Sequence, residues 1–416
     1  MSAAPARKEL AANDVAFLQE KPLARLLAAL NVSGDEARVV GGAVRNLLLG
    51  LKPGDIDLAT TAEPKTVIER VTAAGFKAVP TGIEHGTVTV VADGTPFEVT
   101  TLREDIETDG RHAVVRFGRD WAKDAARRDF TINAFSLSAD GVVHDYCGGL
   151  GDIEKRRVRF IGDADMRIAE DYLRALRFFR FFAAYDEGDP DRAGFVACAR
   201  ARDKLGSLSR ERVRAEIIKL LPSKRAPEAM IAMADCGIFD RVFGTAAESM
   251  VLSRLAEYEA SHEIAPNAVR RLAAIAVRVE DDAARLRERL RLSNDEYRRL
   301  ASIADRWWRL NPEAGEAYAR ETLYRIGAEE YFDRALIAFA HSTASNADEG
   351  WGALLSLPQR WTPPKFPLSA KDFIDRGIEK GPALGVALAK AETAWIAAGF
   401  PEDRKVLDAI TEKAIA

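Results

Sequence analysis

The feature that most constrains this chain is a change of hydrophobic period near residue 150. Before it, short runs with two-residue alternation are interleaved with helical repeats; after it, almost every stretch repeats every 3.6 residues. A sheet needs the first kind of pattern, so the sequence reads as α+β, with a mixed N-terminal head followed by an all-α remainder. In the head, residues 22–30, 43–49 and 64–74 read as helices, and 37–40 and 56–60 as strands. The runs 87–91 and 97–101, separated by Asp93-Gly94, read as a hairpin. Residues 103–118 are polar and lack a period, which predicts a long mobile loop, a feature more often functional than decorative in a compact domain.

Helices are expected at 166–184, 209–221, 227–234, 266–290 and 293–308, the last sharpened by the capping-box spacing of Ser293 and Glu296. A Pro-rich stretch at 356–369 reads as a linker. The expected organisation is a head at 1–150, a helical neck at 151–225, a body at 226–355 and a tail at 356–416.

Sixty Lys and Arg against 64 Asp and Glu give a net charge of −4, which excludes a uniformly basic surface. A polyanionic partner must then be met by a local patch. Residues 200–225 supply one, with nine basic residues against three acids, among them Arg210, Arg212, Arg214, Lys219, Lys224 and Arg225. The stretch 285–299 is a second basic candidate, although a solvated amphipathic helix is its favoured reading. Three cysteines without CxxC spacing argue against a disulfide framework or a cysteine zinc site and fit a reducing cytoplasm. A secretory signal pattern and a bilayer-length apolar run are not found in the sequence, so no membrane association is expected.

Three motifs carry chemistry. In the first, Gly41-Gly42-Ala43-Val44-Arg45 joins a strand to a helix and offers bare backbone N–H groups to a phosphate. Asp55 and Asp57 follow at i and i+2 on the expected strand, where both carboxylates face one side and can hold a hard divalent cation such as Mg²⁺. The alternative is a Pro-Gly-Asp turn with one solvated acid. No GxxxxGK[ST] is present, which excludes a P-loop. In the second motif, Arg127-Arg128-Asp129-Phe130-Thr131-Ile132-Asn133-Ala134, adjacent arginines suit a triphosphate and the acid a ribose hydroxyl; a charged helix entry is the other reading. In the third, Asp171, Arg174, Arg177 and Arg180 recur every three residues beside Leu173, Leu176 and Phe179, either as a half-exposed functional stripe or as a solvated face.

With GGAVR, DID, RRDFTINA and EDYLRALRFFR in this order, the sequence resembles the bacterial tRNA nucleotidyltransferase and poly(A) polymerase family, the class II branch of the polymerase-β-like nucleotidyltransferases, and its CCA-adding members most. The resemblance is strong from about residue 38 to 182, moderate to about 243, and faint near 381–385. It implies a polymerase-β-like head with helical neck, body and tail, and template-independent addition of C and A from CTP and ATP to the 3′ end of tRNA, with Mg²⁺ as cofactor. A poly(A) polymerase, a partial CC- or A-adding enzyme and a non-catalytic RNA-binding module are the alternatives.

By that resemblance, Gly41, Gly42 and Arg45 grip the triphosphate, and Asp55 and Asp57 hold the metal. Arg128 contacts the nucleotide, Asp129 its ribose, and Arg177 and Arg180 its phosphates. Asp171 and Arg174 read the base. Cytosine and adenine both present an exocyclic amino donor beside a ring-nitrogen acceptor, and a carboxylate next to a guanidinium matches that pattern while clashing with uracil and guanine. Glu98 is either a third carboxylate near the metal or an exposed hairpin acid. Asn46 stands where the family's GGxVRD pattern usually has Asp, and a helix-capping role is expected for it.

Overall fold

A computed structural model describes residues 4–108 and 113–416. The chain forms two compact units, Met1–Ala247 and Glu248–Ala416. In the first, β1 (Ala6–Glu9), β2 (Ala37–Val40), β3 (Asp57–Thr60), β4 (Lys77–Gly82), β5 (Thr87–Ala92), β6 (Thr95–Thr101), β9 (Ser136–Leu137) and β10 (Val142–Asp145) make one eight-stranded sheet in the order β1-β10-β9-β2-β3-β6-β5-β4. Only β3 and β6 pair in parallel, and their register sets Asp57 opposite Glu98. The expected hairpin is formed by β5 and β6. Helices α1 (Lys21–Leu30), α2 (Gly42–Leu48), α3 (Pro64–Ala73), α4 (Trp121–Ala126) and α5 (Gly149–Glu154) complete the head.

The expected loop at 103–118 is corrected: β7 (Arg103–Thr108) and β8 (Ala113–Phe117) pair antiparallel as a separate two-stranded sheet, while 109–112 lie outside the described residues. The charge of this stretch hid its β-branched content, and Asp109-Gly110 is itself a hairpin signal.

The expected helix at 166–184 is two helices, α6 (Ala164–Glu170) and α7 (Leu173–Tyr185). Asp171 between them is extended (φ −156°, ψ 107°), and its carboxylate accepts from the Leu173 N–H at 3.1 Å, a local bond that competes with helix continuation. α8 (Arg192–Ala201) and α9 (Arg210–Leu220) follow. Four buried rings lock α7 onto the head: Phe130 lies 4.8 Å from Phe160 and 5.0 Å from Phe181, and Phe160 stacks at 5.6 Å on Phe178.

The second unit is helical throughout its described elements. The expected helix at 266–290 splits into Ala268–Ala276 and Glu280–Leu290, because the Asp282 carboxylate accepts from the Arg278 and Val279 N–H groups and starts a new helix. Glu259 and Asp333, both buried, hold Arg270, Arg271 and Arg299 at 2.6–3.0 Å. Within the 285–299 stretch, Arg285, Arg298 and Arg299 each pair with an acid. Phe373, Ala391, Trp395 and Leu407 form a small C-terminal core that also takes in Phe366 from the Pro-rich stretch.

One glycine fixes how closely α5 approaches the segment carrying the second motif. A Cβ on Gly149 would stand 2.7 and 2.9 Å from the Phe135 ring and closer still to the Thr131 carbonyl, whereas Gly151 has open space. Gly149→Ala should therefore destabilise the protein by about 1–3 kcal/mol. Gly151→Ala, inside the same helix, should be neutral or stabilising by roughly 0.5–1 kcal/mol. Chemical denaturation of both variants checks this, and equal effects would contradict the close approach.

Candidate active site

β2 is buried along its whole length and delivers Gly41 into a turn with φ +69° and ψ −124°, a conformation open to glycine. A Cβ there would lie 3.4 Å from Arg128 Nη1, so the glycine also lets that guanidinium approach the backbone. A cavity of about 520 Å³ opens at this turn, a size suited to a nucleotide. Its charged walls are Arg45, Arg127, Arg128, Arg174, Arg177 and Arg212 against Asp57, Asp129 and Asp171, a surplus of three positive charges. A site with that balance attracts a polyphosphate.

Each arginine is positioned by its own partners. Arg45 donates to Asn133 Oδ1 at 2.6 Å, Asn46 Oδ1 at 3.0 Å and the Tyr185 hydroxyl at 2.8 Å, and lies 4.1 Å above the Tyr185 ring. Burial, together with the charges of Arg180 and Arg177, holds its pKa below the usual guanidinium value. Arg127 and Arg128 share the buried Asp124 at 2.8 and 3.2 Å. Arg177 donates through Nε to Asp129 at 2.7 Å, and Arg180 to Glu216 at 2.5 Å. Arg180 is not among the residues lining the cavity.

Asp129 is buried and accepts from the Phe130 N–H, Asn133 Nδ2 and Arg177, so both oxygens are engaged. Burial raises its pKa, but the Arg177 charge and these hydrogen bonds outweigh that and hold the carboxyl below the usual range.

The third motif is arranged differently from a single helical stripe. Asp171 and Arg174 both line the cavity, yet Arg174 donates to Glu170 at 2.5 Å and Asp171 accepts from Arg212 at 2.5 Å. Asn46 lies inside α2 and caps nothing, contrary to expectation. Its amide accepts from Arg45 and donates to the Lys52 and Pro53 carbonyls at 3.3 and 3.4 Å, fastening the loop that leads to Asp55.

Asp55 lies in a bend ahead of β3, which starts at Asp57, so the two acids do not share a strand. They nonetheless line one second cavity, of about 630 Å³, with Glu98, Glu20 and Thr89; Asp57 belongs to both cavities. Burial, then the charges of Glu98 and Asp55, push the Asp57 carboxyl above its ordinary pKa, with Arg128 opposing.

Among the described residues no group of three or more His, Cys, Asp or Glu is placed to hold a metal ion by itself. An all-oxygen set of mutually repelling carboxylates nonetheless fits a hard divalent cation, which commonly takes one or two carboxylates and completes its shell with water and substrate phosphate.

Of the basic residues expected on RNA, Arg210, Lys219 and Lys224 are exposed and Arg214 is half-buried. Arg225 donates to the Asp186 and Gly188 carbonyls at 3.0 and 2.8 Å, and Arg212 faces the cavity. Asn133 and Glu170 lie inside the motifs without a role expected from sequence, Glu216 lies in the basic stretch 200–225, and Tyr185 carries no sequence signal at all.

The depressed Asp129 pKa makes a stability prediction. The ionised form is favoured on folding, so its contribution is complete above about pH 4 and is lost as pH falls through the lower folded value. Asp129→Asn should cost about 3–5 kcal/mol at pH 7, the cost of stranding a buried partner charge. The gap to wild type should narrow below about pH 4 in denaturant titrations, and a gap independent of pH would contradict the ion pair.

Comparison with known proteins identifies the family. Residues 37–159 match the Poly A polymerase head domain, and residues 191–250 match the probable RNA and SrmB-binding site of polymerase A. The chain is 34% identical over 396 residues to the mitochondrial CCA tRNA nucleotidyltransferase 1 of Mus musculus, covering 93% of this chain and 88% of that protein. It is 31% identical over 403 residues to a CCA-adding enzyme of Streptococcus pyogenes, covering 94% and 96%. The structure superposes with a TM-score of 0.76 on the Bacillus stearothermophilus CCA-adding enzyme solved in complex with CTP, at 29% identity over 95% of this chain and 97% of that one. With the fold, the motifs and near full-length similarity in agreement, the chain belongs to the family of CCA-adding tRNA nucleotidyltransferases, enzymes that depend on a divalent metal.

Proposed function

We propose that this enzyme adds C and A, taken from CTP and ATP, to the 3′ end of tRNA and releases pyrophosphate, with Mg²⁺ as its metal. The observation that carries this reading is one cavity lined by Asp57, by Asp171 and Arg174, and by a surplus of arginines. No nucleophilic side chain is required, since the tRNA 3′-hydroxyl attacks the α-phosphorus and pyrophosphate leaves in the same displacement.

Asp55 and Asp57, with Glu98 beside them, would hold the metal. When bound, Mg²⁺ lowers the pKa of the attacking hydroxyl and neutralises charge on the departing pyrophosphate. Arg128 and Arg177 meet the phosphates, with Gly41 and Gly42 leaving room for their approach. Arg45 and Arg180 support that wall through Asn133 and Glu216. Asp129 orients Arg177 and presents its remaining lone pairs toward the ribose. Asp171 accepts from the exocyclic amino group and Arg174 donates to the ring acceptor, so a pair of side chains replaces a nucleic-acid template.

Arg210, Lys219 and Lys224 are exposed on or just beyond α9 and suit phosphate contacts to the acceptor end of the RNA. Among the described residues no helix is long and apolar enough to cross a membrane, and Cys147, Cys198 and Cys236 are free thiols, which supports a cytoplasmic setting.

Asp55→Ala and Asp57→Ala should each reduce incorporation of both CMP and AMP by roughly three orders of magnitude, since metal stabilisation is worth several kcal/mol. Affinity for tRNA should change little. Single-turnover assays with tRNA lacking CCA and tRNA lacking only A check this. Loss of one activity alone would contradict a shared metal site.

A further inference from the structure

We infer that Arg212 is a specificity-determining residue: it fixes which lone pairs of the Asp171 carboxylate face the base. The inference rests on the reading of Asp171 and Arg174 as the base-selecting pair and extends it to a third side chain from a different helix.

Asp171 sits at the kink between α6 and α7, outside both helices, so the backbone alone does not fix its carboxylate. The two oxygens have different partners: Oδ1 accepts from the Leu173 N–H at 3.1 Å, and Oδ2 from Arg212 Nη2 at 2.5 Å. Four acceptor directions are thereby reduced to those that remain open, and Arg212, itself in the cavity wall, decides their orientation. Arg174 is held separately, by Glu170 at 2.5 Å, the Arg167 carbonyl at 3.0 Å and the Arg127 carbonyl at 3.5 Å; Arg167 in turn holds Glu170 at 3.0 Å.

The acid and the guanidinium that must address the base are thus kept apart, each by its own partner. That separation has a chemical purpose. An Asp171 released from Arg212 would have Arg174 and Arg177 as alternative cations in the same cavity wall. A pair closed on itself offers neither its acceptor nor its donor to an incoming base.

α9 has the rigidity this role needs. Ser209 caps it by accepting from the Arg212 N–H at 3.4 Å, and one turn on, Glu216 holds Arg180 at 2.5 Å and lies 3.7 Å from Arg177. One helix therefore holds Arg177, which faces the cavity, Arg180 behind it, and the base-facing acid.

The test is kinetics of Arg212→Ala with each of the four NTPs and tRNA lacking CCA or lacking A, beside Arg212→Lys, Asp171→Ala and the double variant. Arg212→Ala should lower selection of CTP and ATP over UTP and GTP by roughly 5- to 150-fold, the discrimination carried by one good bidentate base contact. Maximal turnover of CTP should fall far less. Arg212→Lys should restore part of the selection, and adding Arg212→Ala to Asp171→Ala should change the ratio no further.

An Arg212→Ala protein that melts as wild type does and keeps the wild-type ratio overturns the inference. So does a uniform rise in the KM for tRNA at constant nucleotide preference, which would make Arg212 an RNA contact, and so does an additive double variant. If Asp171→Ala itself keeps wild-type preference, the failure belongs to the template reading instead. Should the alanine variant not fold, Arg212→Gln carries the same comparison.

Discussion

The buried carboxylate of Asp129 is the point through which the separate parts of the cavity at the glycine turn are tied. It accepts from Arg177 on α7 and from Asn133 in the turn that follows the paired arginines. Asn133 in turn accepts from Arg45 on α2, and Arg45 donates to Tyr185 at the end of α7. The circuit closes on the helix where it began. In a water-poor interior such a network is strong when complete and costly when one member is lost. It fixes the glycine turn, the RRDFTINA segment and α7 relative to one another, and the packed rings of Phe130, Phe160, Phe178 and Phe181 hold the last two of these together from the apolar side.

Crowding arginines around one cavity creates a folding problem that a second layer of acids solves. Asp124 serves Arg127 and Arg128, Glu170 serves Arg174, and Glu216 serves Arg177 and Arg180. Because these carboxylates sit behind the guanidinium groups, the cavity keeps a moderate positive surplus and its arginines are oriented before a triphosphate arrives. The acids around Asp57 have the opposite arrangement. Asp55, Asp57 and Glu98 line a second cavity, and burial first, then the charges of Glu98 and Asp55, raise the Asp57 pKa. A positive wall and a negative one meeting at Asp57 would suit a phosphate-bearing substrate on one side and a divalent cation on the other.

Much of this was legible in the sequence, and the failures have physical causes. The change of period near residue 150 separated the sheet from the helices, and Asp93-Gly94 marked its hairpin correctly because turn chemistry is local. The 103–118 stretch was misread because its charged residues masked the β-branched positions of β7 and β8. The break at Asp171 escaped notice because a three-residue charge period looks like one helix face, while the decisive bond, from the Leu173 N–H to the carboxylate, is a local alternative to helix hydrogen bonding. Asn46 was assigned a cap from its residue type, but its partners come from a loop several residues on. Arg212 shows the general limit: within a run of basic residues, sequence does not say which one turns inward to meet an acid 41 residues away.

On the proposed reading, protein side chains alone choose the base. Equilibrium titration of CTP, ATP, UTP and GTP into the enzyme with Mg²⁺ and no RNA tests it most directly. The account predicts that CTP and ATP bind with similar affinity and that UTP and GTP bind more weakly by roughly 5-fold or more, the lower end of what one bidentate base contact discriminates. Four equal affinities would contradict it, because selection would then have to come from the RNA.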